Sequence, residues 1–296
     1  MLEGTRRGLG IDLHAAHRIY RHALYGMSLP LTNPSREDPS RMNIVVLVKY
    51  IPNPDSTPQI GPDFRLKREG VEGGLDPGDE HGVEAALQLA EKTGGEVTVV
   101  TMGPEPAIAA VRRALSMGAH KGLQVTDDSL KGADVLVTAR VLAAAIRRSP
   151  FDLVVAGVES TDGYTGTLPM TVAELLGIPS ATFARHLELD DGALKLERQT
   201  EMGYDVVESS LPALVTLTAG ANEPRYPTLK GIMQAKQKPM ETLSVADLGL
   251  SPAEVASTQE VLGIEAVPAK GGGEILEDPS EAPTRIVEFL KKAKVI

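Results

Sequence analysis

Five short apolar runs punctuate the chain, at residues 44–48, 97–101, 123–125, 153–156 and 211–220, and segments of helical spacing separate the first four. Runs that are apolar throughout, without alternation, fit strands covered on both faces. Strands joined by helices run parallel, through right-handed crossovers. The pattern therefore predicts an α/β chain with a mostly parallel sheet. Behind the turn and helix cap Asp76-Pro77-Gly78-Asp79, Val83, Ala86, Leu87 and Ala90 recur at helical spacing until Gly94-Gly95 stops them. Further helices are expected over 107–117, 133–148 and 170–176. Lys49-Tyr50-Ile51-Pro52 reads as a loop at the carboxyl end of the first strand, and residues 64–67 as a short hairpin strand. Residues 183–189, 193–201 and 204–210 alternate or carry turn pairs such as Asp191-Gly192, which predicts antiparallel hairpins appended to the parallel core.

The ends of the chain differ from this core. Residues 1–41 hold three of the six His and six Arg against four acids, with no core-forming period, and are expected to be a poorly ordered extension. A nucleotide-binding-like α/β domain is expected over 42–245 and an arm over 246–296. The arm is rich in Pro and Gly, with Gly271-Gly272-Gly273, and ends in an amphipathic helix over 285–294. Isolated, so short a helix is marginal in water, so it is expected to dock on a partner.

Composition removes several functional classes. The chain has no cysteine, which excludes thiolate nucleophiles, Fe–S ligation and Cys-based zinc sites. A net charge of −10 argues against nucleic-acid binding through phosphate contacts. No apolar run approaches the roughly 18 residues of a spanning helix. The His residues outside the extension, His81, His120 and His186, lack metal-ligand spacing and read as partly exposed side chains. No catalytic constellation emerges.

Two stretches carry the functional signal. GVESTDGYTGTLPMTVAELLG, residues 157–177, is a Gly/Ser/Thr/Asp loop between a buried strand and a helix, where open α/β sheets bind ligands. Thr165, Gly166 and Thr167 can present N–H groups to a phosphate at a helix N-terminus. A plain turn rich in capping residues accounts for the same composition. The loop matches neither GxxxxGK[ST] nor GxGxxG. Asp76 and Asp79 read as a cap before they read as a carboxylate pair, and Glu159 and Asp162 suit loop structure plus nucleotide contacts. The second stretch, NEPRYPTLKGIMQAKQKP at 222–239, breaks out of the last apolar run because Pro224 and Pro227 forbid a continuing ladder. Thr228 then caps a short helix with Ile232, Met233 and Ala235, and Lys236 and Lys238 suit the dipole at its end.

These stretches, with residues 42–49, resemble the β subunit of electron transfer flavoproteins, heterodimeric FAD carriers, and the resemblance covers about residues 42–296. It implies a Rossmann-like sheet of the adenine nucleotide hydrolase-like kind that holds AMP structurally, with FAD bound mainly by the α subunit close to its contact with β. It also implies a cytoplasmic heterodimer without catalysis of its own. Electrons would come from acyl-CoA or other dehydrogenases, as in fatty acid β-oxidation, and leave to a quinone oxidoreductase or similar acceptor. Carried onto this chain, the cofactor site comprises Leu47, Asp76, Pro77, Gly78, Asp79, Met102, Gly157, Glu159, Asp162, Thr165, Gly166, Thr167 and Leu168. Dehydrogenase docking falls to Leu229, with Arg225, Tyr226, Ile232 and Met233. The arm docks on the α subunit. The chain departs from several relatives at Pro54 and Gly78, where they carry aromatic side chains near the flavin, and at Gln199, where they carry Glu. Within the resemblance, a bifurcating β subunit with a second FAD in place of AMP is the alternative. Outside it stand a free nucleotide-binding protein and an ATP-using enzyme, the latter lacking an SGGxDS-type pyrophosphate loop.

Overall fold

The fold is taken from a computed structural model that describes residues 41–190, 192–265, 275–276 and 278–296. Residues 1–40, Asp191 and the Gly271-Gly272-Gly273 run lie outside the described residues, and with them the expected extension, half of one turn pair and the middle of the arm. The chain divides into two units, residues 1–260 and 261–296.

In chain order the strands are β1 (Asn43–Leu47), β2 (Tyr50–Pro52), β3 (Gly73–Leu75), β4 (Glu96–Met102), β5 (Lys121–Val125), β6 (Leu153–Gly157), β7 (Ser180–Asp190), β8 (Ala193–Thr200), β9 (Gly203–Ser209), β10 (Ala213–Leu217) and β11 (Met240–Leu243). The helices are α1 (Pro77–Thr93), α2 (Ile108–Met117), α3 (Val135–Ile146), α4 (Leu168–Leu176), α5 (Leu229–Ala235) and α6 (Ala282–Lys292). Nine strands make one sheet in the order β11-β5-β4-β1-β6-β10-β7-β8-β9. It is parallel from β11 through β7, and β8 and β9 add the antiparallel extension.

The continuous apolar runs are central strands because both faces are covered. Ile44, Val46 and Val48 pack with Val83, Ala86 and Leu87 of α1 and with Val111 and Leu115 of α2. Val45 and Leu47 face Val141 and Ile146 of α3 and Val172 and Leu176 of α4. Each fully buried Val, Ile or Leu contributes about 1.5–3 kcal/mol relative to exposure, which makes this two-sided core the main source of stability. The helix limits follow local chemistry. Asp76 caps α1 by accepting from the Gly78 N–H, and Gly94 closes it at φ 64°, a left-handed conformation that suits glycine. Asp134 caps α3 through the Val137 N–H.

Three local expectations are corrected. Residues 50–52 are not a loop but pair antiparallel with Gly73–Leu75. The hairpin strand expected at 64–67 shrinks to one bridge between Ile60 and Leu66, because the polar, Gly/Pro-bounded residues around it offer no apolar face. Lys238 serves a different helix from the one expected: its Nζ donates to the Leu115 and Ala119 carbonyls at the end of α2, at 2.8 and 2.6 Å. The parallel edge strand β11, which continues directly from there, carries only one buried side chain, Leu243, and so left no apolar run to read.

Residues 246–260, at the start of the expected arm, belong to the first unit. Val255 is buried, and the Asp134 carboxylate accepts from the Thr258 N–H at 2.7 Å. In the second unit, α6 presents Ile286, Val287 and Phe289 to solvent. No helix among the described residues is long and apolar enough to cross a membrane.

Candidate functional site: a switch-point loop and an exposed apolar helix

Strand order reverses at β1, which lies between β4 on one side and β6 on the other, and open sheets bind ligands at the carboxyl edge of such a point. The loop after β6 meets the start of α1 there. Asp76 is fully buried and bridges the two: one oxygen accepts from Gly78, the other from the Thr161 N–H at 2.7 Å and the Thr161 hydroxyl at 3.2 Å. Asp79, also buried, accepts from the Lys49 N–H at 2.8 Å, and its other oxygen lies 2.7 Å from where a Cβ on Gly157 would stand. Gly157 is therefore a position where any side chain collides with α1. Burial, reinforced by the neighbouring Asp76 carboxylate, pushes the Asp79 carboxyl up to about 8, against the pull of the Lys49 and Gly157 N–H groups. So Asp76 alone is the cap, and the two acids form a buried pair.

Asp162 gathers two cations, Lys49 Nζ at 2.5 Å and Arg68 Nε at 2.7 Å. Burial alone would raise its carboxyl; the two cations hold it below the usual range. Lys49 also donates to the Ser160 hydroxyl at 3.1 Å. The loop is thus clamped from the end of β1 and from the excursion between β2 and β3. Beyond the clamp, Gly166 takes φ 62°, and Thr167 precedes α4 without a side-chain cap. No acceptor among the described residues takes the N–H of Thr165, Gly166 or Thr167. These free donors at a helix N-terminus suit a phosphate. The Glu159 carboxylate lies 3.2 Å from where a Gly166 Cβ would be, a position suited to hydroxyl groups rather than to an anion. Leu47 ends β1, Met102 ends β4, Pro77 and Gly78 open α1, and Leu168 opens α4, so every residue expected in the cofactor site borders this carboxyl edge. Among the described residues, no group of three or more acids or His is placed to hold a metal.

The second element is built on α1 and α2. Downstream of β10 the chain is held by a polar stripe on α1 at 81, 84, 88 and 91, spacing that aligns one helix face. His81 Nδ1 lies 3.1 Å from the Asn222 carbonyl, and the Asn222 amide donates back to the His81 carbonyl at 2.9 Å. Arg225 donates to Glu84 from Nε at 2.8 Å and to Glu91 from Nη1 at 2.5 Å, and its own N–H reaches Glu84 at 3.1 Å. Burial would raise the Glu84 carboxyl, but the hydrogen bonds from Arg225 and Gln88 outweigh it and hold it low. Arg225, expected among the docking residues, is thus engaged inside the subunit.

Thr228 caps α5 through the Gly231 N–H at 3.0 Å. Gly231 faces α2, where an added Cβ would stand 2.5 Å from the Ser116 carbonyl oxygen. The opposite side is open: Tyr226 is 87% exposed, Leu229 82%, Ile232 48% and Met233 72%. Leu229, Ile232 and Met233 are spaced as one helix face, and a contiguous apolar patch of this kind marks an interaction surface. Leu229 does not fold back under the other two.

The close approach at Gly231 gives a prediction whose sign is decisive. In an open helix Gly231→Ala should stabilise by about 0.8–1 kcal/mol. Here the methyl meets backbone, so a loss of about 1–3 kcal/mol is expected in urea unfolding. A stabilised variant would show that α5 does not rest on Ser116.

Sequence reasoning missed His81, Glu84 and Glu91 as partners of Asn222 and Arg225, and Lys49 and Arg68 as partners of Asp162. The stripe at 81, 84, 88 and 91 was visible as a helical period of polar residues. Nothing local showed which segment it faces.

Residues 63–248 match the family described as electron transfer flavoprotein domain. The chain is 41% identical over 264 residues to the electron transfer flavoprotein subunit beta of Mycobacterium tuberculosis, covering 86% of this chain and 99% of that one. It is 37% identical over 261 residues to the subunit of the same name from Thermoanaerobacterium thermosaccharolyticum, covering 86% and 100%. It is 36% identical over 262 residues to the caffeyl-CoA reductase-Etf complex subunit CarD of Acetobacterium woodii, again covering 86% and 100%.

Proposed function

The chain belongs to the electron transfer flavoprotein family, and from that premise we propose that it is the β subunit of a heterodimeric carrier. In this reading it pairs with an α subunit, shares an FAD with it, and holds AMP at the switch-point loop. The carrier takes electrons from acyl-CoA or other dehydrogenases and passes them to a quinone oxidoreductase or similar acceptor. The observation that supports the nucleotide is the set of free N–H groups at Thr165–Thr167 beside the clamp on Asp162. Those residues fit a nucleoside monophosphate: N–H donors for the phosphate, and Glu159 for ribose hydroxyls. FAD supplies the redox chemistry, while this chain binds, orients and presents a docking face. Residues 261–296, with α6, pack on the α subunit, since the apolar residues of α6 are exposed.

A second reading replaces AMP by a second FAD, as in a bifurcating carrier; the likeness to the reductase-complex subunit favours it. One experiment separates the readings. The heterodimer is co-expressed, purified and denatured, and the released nucleotides are identified. One FAD and one AMP per heterodimer supports the carrier. Two FAD supports the second reading, and absence of any nucleotide beyond one FAD removes the loop as a nucleotide site.

Docking is carried by Leu229. A side chain fixed on a capped helix enters a partner pocket with little ordering entropy to lose. Leu229→Ala is expected to raise the KM of an acyl-CoA dehydrogenase for the heterodimer by about one to two decades, from the roughly 1.5–3 kcal/mol of a buried leucine. Melting temperature and flavin content should stay unchanged, because Leu229 is 82% exposed. A lower melting temperature with normal kinetics would place Leu229 in the subunit's own core instead.

A further inference from the structure

The docking patch is only as well placed as the segment leading into it, and that segment has no regular backbone pairing of its own. From Gly220 to Pro227 the chain lies outside both strand and helix. Its path is set by α1, at two places along one helix face. The outer place is the Arg225 fork on Glu84 and Glu91. The inner one is His81, which touches the turn at three points: Nδ1 faces the Asn222 carbonyl at 3.1 Å and its side-chain oxygen at 3.2 Å, while Nε2 faces the Gly220 N–H at 3.4 Å. Two acceptors at Nδ1 and a donor at Nε2 fix one neutral tautomer, with the proton on Nδ1. The Asn222 amide closes the ring by donating to the His81 carbonyl.

We infer that His81 is a positioning residue for dehydrogenase docking, holding the Gly220–Asn222 turn so that Tyr226, Leu229 and Met233 are presented in one fixed orientation. The inference rests on the reading of α5 as the docking element. His81 touches no part of the patch and acts only through Asn222 and the two prolines that stiffen the chain beyond it. Pro224 and Pro227 transmit the setting because each fixes its own φ and restricts the residue before it. The Arg225 fork anchors the segment against loss; His81 sets the direction in which it leaves the sheet. Neither a core nor a ligand requires histidine here, since a leucine of similar size would fill the same half-buried space.

The test uses the α/β heterodimer, with a purified acyl-CoA dehydrogenase and its acyl-CoA substrate as probe. His81→Leu keeps the bulk and removes the ring nitrogens. KM for the carrier is expected to rise about tenfold, with kcat and flavin content near wild type and a fall in melting temperature no larger than the loss of one or two net hydrogen bonds gives. His81→Gln, whose amide can donate to Asn222 and accept from Gly220, should recover most of the loss. Asn222→Ala removes the same contacts from the other side and should reproduce the KM effect, which keeps the test alive if His81→Leu does not assemble. The inference is overturned if His81→Leu or Asn222→Ala leaves KM within twofold while Leu229→Ala raises it, or if His81→Gln is no better than His81→Leu. If Leu229→Ala itself leaves KM unchanged, the docking reading falls and this inference with it.

Discussion

Arg225→Ala is expected to lower the unfolding free energy of the chain by about 2–3 kcal/mol, toward the low end for a broken buried ion pair because the guanidinium is partly exposed. Glu84 is the reason for so large an effect. Its side chain is only 5% exposed and has two Arg225 nitrogens and the Arg225 N–H as partners. Removing the arginine side chain leaves a buried carboxylate with Gln88 and the backbone N–H of residue 225 as its remaining partners. Arg225→Lys should recover little, since one ammonium cannot serve Glu84 and Glu91 together. The pH dependence has a definite sign. Glu84 is held below its usual 4.5, so its contribution is present above that value and fades as pH falls through the lower folded value. The gap between wild type and Arg225→Ala, read from urea unfolding, should be constant from about pH 6 to 8 and narrow toward pH 4. A loss below about 0.5 kcal/mol would rank the fork with ordinary surface pairs.

Asp79 should produce the opposite trend. Its carboxyl is raised from 3.8 to about 8 in the fold. Over the window between those values the unfolded chain has released the proton and the folded chain keeps it. Raising the pH therefore favours unfolding, by up to about 1.4 kcal/mol per pH unit, and the trend levels off above the folded value. In Asp79→Asn this slope is absent, so the difference between the two proteins isolates it from every other titrating group. The variant has its own cost, because one oxygen that accepts from the Lys49 N–H or from Gly157 becomes an NH2, and this appears as a pH-independent offset. Unfolding measured from pH 5.5 to 8.5 decides the matter: parallel curves for wild type and variant would mean that Asp79 is ionised in the fold throughout.

The parallel core was legible because its evidence is local. Residues 44–48 and 153–156 are apolar without interruption, and only coverage on both faces makes such a run stable; both became central strands. The caps at Asp76, Gly94 and Thr228 were equally local, each set by one side chain or one left-handed residue. What escaped was tertiary. Residues 50–52 look like a loop because a three-residue strand needs its partner at 73–75 to exist, and 20 intervening residues separate the two. His81 looks idle until Asn222, 141 residues away, is placed against it. Lys238 was read against the helix next to it in sequence, but the carbonyls it reaches belong to the helix next to it in space. At the candidate site the glycines and hydroxyls of 157–168 predicted a loop between a buried strand and a helix, and the loop lies there, between β6 and α4. The cations that hold that loop by Asp162 come from residues 49 and 68, on two other segments.

The seven-residue helix α5 is fastened entirely from behind. Gly231 against Ser116, Lys238 on the end of α2 and Arg225 on α1 fix it, while Tyr226, Leu229 and Met233 are mostly exposed and Ile232 about half so. If the patch is the docking face proposed above, holding and recognising fall to different side chains. On the docking reading proposed above, the four outward residues can be exchanged to suit a different partner at small cost to the fold, so partner choice is decoupled from stability. The residues behind have no such freedom, and a change at Gly231 or Arg225 would disturb every partner at once.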